Sequence, residues 1–66
     1  MIKVNGVTEE QSAATIAALL EAHGIAAGAR GVAVALNGAV VPRAAWAETK
    51  LSAGDAVEII KAMSGG

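Results

Sequence analysis

The sequence predicts a small α+β domain in which one main helix packs on one face of a mixed sheet of four or five strands. Three observations predict it: short stretches of alternating apolar residues, Asn-Gly pairs between such stretches, and one segment with helical spacing. With 66 residues, the chain can form one domain with a modest core. The order of elements is strand, strand, helix, then two or three strands, and one helix on one sheet face is the simplest two-layer arrangement for them.

The first two strands are expected to form a hairpin. In residues 1–4, Ile2 and Val4 point to one face and Lys3 points to the other. The second strand is expected at residues 7–10 and begins with the apolar Val7. Asn5-Gly6 lies between them, and this pair is the strongest short hairpin signal because both residues tolerate a positive φ.

The helix is predicted from its caps and its spacing. Thr15 is the expected N-cap of a helix that ends near His23. Gly24 follows where a left-handed C-cap residue belongs, and Ile25 supplies the apolar contact that often accompanies it. The apolar stripe of the helix, which we expect to face the core, consists of Ile16, Leu19 and Leu20.

A second hairpin follows the helix. Val32–Leu36 alternates between bulky and small residues, and Asn37-Gly38 separates it from a strand at Ala39–Val41. Pro42 should end that strand, because proline cannot donate a hydrogen bond to a neighbouring strand.

The other segments contain the loops and the last strand. Residues 26–31 lack periodicity and are expected to form a loop. Residues 43–49 should form an irregular segment or a single helical turn, anchored by Trp46. Residues 51–55 are rich in turn-forming residues, and residues 56–60 form the last predicted strand.

Composition excludes several classes of function. The chain has no cysteine, so it has no disulfide and no thiol for catalysis or zinc binding. Five scattered basic residues against six acidic ones, with a single aromatic residue, do not predict nucleic-acid binding. Uncharged stretches are far shorter than the roughly 20 apolar residues of a membrane span. We therefore expect a cytoplasmic protein that binds no nucleic acid and no membrane.

No internal group of residues predicts catalysis or a metal site. His23 has no cysteine or second histidine to share a metal, and a histidine at a helix C-terminus is favoured by the helix dipole. Glu9 and Glu10 are adjacent, so in an extended segment they point apart, and we expect them to be solvated.

The terminal carboxylate is the remaining candidate for chemistry. We expect residues 1–61 to form the folded domain and residues 62–66 to form a flexible tail. Gly65 and Gly66 have no Cβ, so they could enter a narrow channel in a partner, preceded by Ser64. The alternative is a frayed end without function.

Four segments carry a resemblance to a known family. They are VALNG at residues 34–38, VVPRAAW at 40–46, LSAGDAVEI at 51–59, and the final Gly65-Gly66. In order and spacing, these segments resemble the ThiS family, the ubiquitin-like β-grasp sulfur carriers of thiamine thiazole biosynthesis. The resemblance covers nearly the whole chain, but loop 26–31 and the helix lack family-specific residues, so no partner contacts are transferred to them.

The resemblance implies a carrier rather than an enzyme. An E1-like adenylyltransferase of the ThiF type would use ATP and Mg to adenylate the carboxylate of Gly66, and this chain would bind no cofactor itself. Sulfur from a cysteine desulfurase or a sulfur-relay protein would convert Gly66 to a thiocarboxylate. Thiazole synthase of the ThiG type would then take the sulfur, while Gly65 and Ser64 thread the tail into the partner's active site.

Alternation along the strands suggests a docking surface for these partners. Ile60 should lie on the outward face of the last strand, with Ala33 and Ala35 beside it and Met1 as a further neighbour. Met63 is a candidate anchor near the root of the tail. Scattered exposure without function is the alternative explanation.

Two other functions stay open at this point. The chain could carry sulfur in molybdopterin synthesis, where a related small subunit also ends in Gly-Gly, although the Val-Pro-Arg-x-x-Trp segment favours thiazole formation. It could also be a ubiquitin-like modifier or a regulatory β-grasp module without a carrier role.

Overall fold

Five strands form one mixed sheet, and one α-helix packs on it. The computed structural model describes residues 1–10, 13–26 and 30–61. In chain order the elements are β1 (Ile2–Val4), β2 (Val7–Glu9), α1 (Ile16–Ala22), β3 (Val32–Leu36), β4 (Ala39–Val41), a short 3-10 helix (Arg43–Ala45) and β5 (Ala56–Lys61). The strand order across the sheet is β2-β1-β5-β3-β4. The last strand is thus the central one, parallel to β1 and antiparallel to β3.

Both hairpins form at the Asn-Gly pairs, as predicted. Asn5 and Gly6 have φ values of 51° and 83°, and Asn37 and Gly38 have 50° and 86°. Two successive positive φ values give the two-residue turn whose twist matches that of the flanking strands. Each hairpin therefore depends on a residue pair that adopts this conformation with little strain.

Helix α1 has the predicted caps at both ends. The Thr15 hydroxyl accepts a hydrogen bond from the backbone N–H of Ala18 at 3.2 Å. At the other end Gly24 has a φ of 76°, and its N–H donates to the carbonyl of Glu21 at 2.9 Å. The N–H of Ile25 donates to the carbonyl of Leu20 at 2.8 Å, which completes a Schellman motif.

The segment after β4 connects the sheet to the start of the helix. The 3-10 helix Arg43–Ala45 is the helical turn expected within residues 43–49. The carbonyls of Trp46 and Thr49 accept hydrogen bonds from the N–H groups of Ala17 and Ile16, at 3.1 and 3.0 Å. This irregular segment therefore positions the first turn of α1.

The core lies between the helix and one face of the sheet. Ile16, Leu19 and Leu20 of α1 are almost completely buried, as the helical spacing predicted. The full cluster of buried residues contains Ile2, Val4, Ile16, Leu19, Leu20, Ile25, Val34, Trp46, Val57 and Ile59. The other sheet face carries no helix in the described part of the chain, so side chains on that face contact solvent.

Strand lengths differ from the prediction by one residue. Strands β1 and β2 are each shorter than residues 1–4 and 7–10, and β5 continues to Lys61, one residue beyond the predicted end. The extension occurs because β3 pairs with β5 as far as Val32 opposite Lys61. Among the described residues, no helix is long and apolar enough to cross a membrane.

Candidate functional site

The predicted reactive end lies outside the described residues. This applies to Gly66, to Gly65 and Ser64, and to the candidate anchor Met63. The structure does describe β5, the strand from which this end of the chain continues.

The end of β5 is fixed by residues far away in the sequence. The side-chain oxygen of Asn5 accepts a hydrogen bond from the N–H of Ile59 at 2.7 Å, across 54 residues of sequence. The N–H of Asn5 donates to the carbonyl of Val57 at 2.9 Å. The side chain of Asn5 therefore continues the contact with β5 beyond the last paired residue of β1, Val4.

The structure brings together three of the residues predicted for docking. Ile60 is opposite Ala33 in the sheet register, and Ala35 is opposite Glu58. These side chains lie on the sheet face away from α1, and 59% of Ile60 is exposed. Val40 also belongs to this face, because it pairs with Ala35 and is 77% exposed. We call Ala33, Ala35, Val40, Glu58 and Ile60 the outer patch.

Two residues of this surface differ from the sequence prediction. Val40 was missed, although its position two residues after the Asn37-Gly38 turn places it opposite Ala35 in a two-residue hairpin. Met1, expected as a neighbour of Ile60, lies at the opposite end of β5, where its carbonyl accepts a hydrogen bond from Gly54 at 2.8 Å. The reason is that β1 runs parallel to β5, so its first residue is beside the start of β5.

Met1 instead lines an open groove of about 270 Å³. Other residues of the groove include Ile2, Ala13, Leu51 and Ser52. No titratable side chain is among its described lining residues.

Trp46 anchors the 3-10 segment, as predicted. Its ring is 4% exposed, and its indole N–H donates to the carbonyl of Val41 at 2.9 Å. The guanidinium carbon of Arg43 lies 5.4 Å from the centre of the ring, within range of a cation–π interaction. Arg43 therefore covers one side of Trp46.

His23 has a partner that the sequence did not predict. Its Nε2 lies 3.0 Å from a carboxylate oxygen of Glu9, and the exposed fractions of the two side chains are 29% and 25%. Glu9, which was expected to be solvated, is partly exposed and also contacts His23, because the end of β2 passes beside the C-terminus of α1. Within residues 1–10, 13–26 and 30–61, no group of three His, Cys, Asp or Glu residues could hold a metal ion.

Comparison with known proteins identifies the family. The fold and the exposed sheet face define a small ubiquitin-like β-grasp protein, and the ThiS family profile matches residues 2–66. A search of curated proteins gave no match. The chain belongs to the ThiS family.

Two solved structures from Geobacter metallireducens are similar over nearly the whole chain. The crystal structure of a thiamine biosynthesis protein (ThiS) has 38% identity and a TM-score of 0.76, with 98% of this chain and 97% of that chain covered. The NMR structure of a thiamine biosynthesis protein has 38% identity and a TM-score of 0.79, with 98% and 86% covered. These findings support a sulfur carrier of thiamine biosynthesis, and the family implies interaction with activating and sulfur-transfer enzymes in general.

Proposed function

We propose that this chain carries sulfur for thiazole formation as a thiocarboxylate on Gly66. The observation that carries the proposal is the ThiS family match, which extends over residues 2–66 and therefore includes both terminal glycines. In this function the chain is a substrate of partner enzymes and is not an enzyme itself. ATP-dependent activation of this kind would take place in the cytoplasm.

The chemistry begins with an unreactive carboxylate. The terminal carboxyl group has a reference pKa of about 3.5, so it is ionised at neutral pH and is a poor electrophile. An adenylyltransferase of the ThiF type, with Mg, would let this carboxylate attack the α-phosphorus of ATP, and pyrophosphate would leave. A sulfur nucleophile, from a cysteine desulfurase or a sulfur-relay protein, would then attack the acyl carbon and displace AMP.

The last steps make the chain a carrier. A persulfide donor would leave an acyl disulfide on Gly66, and a second thiol would attack the donor's sulfur in it, so that the thiocarboxylate is released and the donor is left as a disulfide. The thiocarboxylate would then be delivered to a thiazole synthase of the ThiG type. Gly65 and Ser64 would lie in the channel of each partner, since small side chains fit a narrow entrance. Sulfur transfer to the thiazole precursor would return Gly66 to a carboxylate.

The outer patch is the surface that we propose for docking of these enzymes. Ile60 and Val40 expose large apolar side chains next to the strand that leads to Gly66. Exposed apolar residues that cluster beside a reactive end are typical of an interaction site. Ala33 and Ala35 would complete the contact, with Met63 as an additional anchor.

A mass measurement tests the carrier function. The chain is incubated with the adenylyltransferase of its own organism, ATP, Mg and a sulfur donor, and its intact mass is then measured. We expect one carboxyl oxygen to be exchanged for sulfur, and no exchange in a variant that lacks Gly65 and Gly66. An unchanged mass, under conditions in which a known carrier is converted, would contradict the proposal.

A further inference from the structure

Glu58 is the charged residue of the outer patch. Ala35 is the register partner of both Glu58 and Val40, so these three side chains form a row across β5, β3 and β4. Neighbouring strands are about 4.8 Å apart, so the row is about 10 Å long. Ile60 stands two residues further along β5 on the same face. The carboxylate of Glu58 is therefore bordered by apolar side chains on two sides.

The described residues offer no partner to this carboxylate. Lys3 is on the same sheet face, but it pairs with Ala56, two residues before Glu58, and does not form an ion pair with it. No hydrogen bond to the Glu58 side chain is formed within the described ranges either. In the free protein, this exposed carboxylate is hydrated by water.

Docking of a partner on the outer patch would remove the water that hydrates the carboxylate of Glu58. A partner that covers Ile60 and Ala35 has this effect because Glu58 neighbours both residues. A carboxylate that loses its water without gaining a partner is strongly unfavourable, whereas a cation opposite it restores the lost interaction. A partner with an apolar or acidic surface at this point would be rejected, and a basic side chain would be accepted.

The position of the outer patch also indicates the kind of partner that covers it, which is an enzyme that holds the carboxyl end of the chain. The chain continues for five residues beyond Lys61, and five residues span at most about 18 Å. An enzyme that holds the carboxylate of Gly66 must therefore come within that distance of the end of β5. Glu58 and Ile60 are among the last four residues of β5. The enzyme surface around the active-site entrance would therefore cover them.

We propose that Glu58 selects the activating enzyme through a single ion pair. The adenylyltransferase presents an arginine or lysine whose apolar stem packs on Ala35 and Val40 and whose charged head meets the carboxylate of Glu58. This inference rests on the proposed function, because it requires an enzyme that binds the carboxyl end of the chain. The inference adds that the enzyme's surface is basic where it meets the outer patch, and that Glu58 determines specificity for this enzyme.

Calorimetric titration of the adenylyltransferase tests the ion pair. Glu58→Gln keeps the shape of the side chain and removes its charge, and Glu21→Gln makes the same change in net charge on the exposed side of α1. We expect Glu58→Gln to raise Kd at least about tenfold and to weaken its salt dependence, and Glu58→Lys to raise Kd further. Glu21→Gln should bind like the parent chain. Thermal midpoints of all variants should agree, since the side chain of Glu58 forms no hydrogen bond or ion pair with the described residues.

The outcomes separate this inference from the proposed function. If Glu58→Gln binds with the Kd and salt dependence of the parent, or if Glu21→Gln weakens binding equally, the ion pair is wrong and the carrier function is unaffected. If the parent chain gains no sulfur in the mass measurement, the carrier function itself fails. At saturating enzyme, Glu58→Gln should still be converted fully, because the substitution weakens docking and leaves Gly66 unchanged.

Discussion

Asp55 shows how one side chain joins two turns of the molecule. One carboxylate oxygen accepts a hydrogen bond from the N–H of Ser52 at 2.8 Å, and the other accepts from the side-chain amide of Asn37 at 3.1 Å. These bonds lower the pKa of Asp55 below its ordinary value of 3.8, with the Ser52 N–H as the largest cause. The oxygen of the same Asn37 amide accepts from the N–H of Ala56 at 2.9 Å, so the β3–β4 turn is fixed to the start of β5.

This pKa predicts the pH dependence of an Asp55→Ala variant. A folded pKa below 3.8 means that folding favours the charged carboxylate, so its stabilising effect is complete above that pH and is lost as the pH falls through the folded value. Thermal unfolding, followed by circular dichroism, should show a lower midpoint for the variant at about pH 6 and a smaller difference at about pH 3. A difference that stays constant with pH would contradict this account.

Individual contacts of the surface were predictable only where they follow from alternation. Ile60, Ala33 and Ala35 were placed correctly because successive residues of a strand point to opposite faces of the sheet. The contact between Glu9 and His23 joins residues 14 positions apart, and no local pattern in the sequence specifies it. Such contacts depend on how the hairpin and the helix pack together.

Helix α1 depends on its caps because it is only seven residues long. A helix of this length is unstable in isolation and is held by packing and by satisfied terminal groups. The hydroxyl of Thr15 provides one such group at the N-terminus, and the backbone of Thr15 forms a bridge with Lys50.

Removing this cap should destabilise the protein measurably. We expect Thr15→Ala to reduce the free energy of unfolding by about 1 kcal/mol, because the N–H of Ala18 loses its partner. Thr15→Ser is the matched control and should stay close to the parent, since serine also accepts this hydrogen bond. Urea denaturation followed by the fluorescence of Trp46 measures both. Equal stability of the two variants would show that the hydroxyl does not contribute.

The elements themselves were largely encoded by local signals. Both turns were specified by Asn-Gly pairs, and both ends of α1 by Thr15 and Gly24, because these residue types suit the required backbone angles. The end of β5 was not specified locally. It depends on the pairing of Val32 in β3 with Lys61 and on the hydrogen bond from Ile59 to the side chain of Asn5. Both contacts join residues that are far apart in the sequence.

The molecule as a whole has one sheet face for its core, and we propose that the other face contacts partners. If the outer patch is the docking surface, Ile60→Asp should raise Kd for the adenylyltransferase at least about tenfold, because a charge replaces an apolar contact at the interface. Calorimetry measures the effect. The domain should still fold, because 59% of Ile60 is exposed and its side chain is outside the core.

Val7 provides the matched control for this substitution. It is 62% exposed and lies on β2, at the edge of the sheet away from the outer patch. Val7→Asp changes the net charge in the same way and should bind the enzyme like the parent chain. If both variants bind equally well, or weaken binding equally, the outer patch is not the specific docking surface.

The hydrogen bond from Ile59 to Asn5 has a consequence for folding. The strand that carries Glu58 and Ile60 is completed by residues from the first hairpin, 54 positions away, so it has a high contact order. Pairings of this kind form only when the chain has already closed a large loop. A chain whose first hairpin has not yet docked therefore lacks the hydrogen bond that supports β5 beside the outer patch, so an enzyme that docks on this patch as proposed would bind the completely folded chain best.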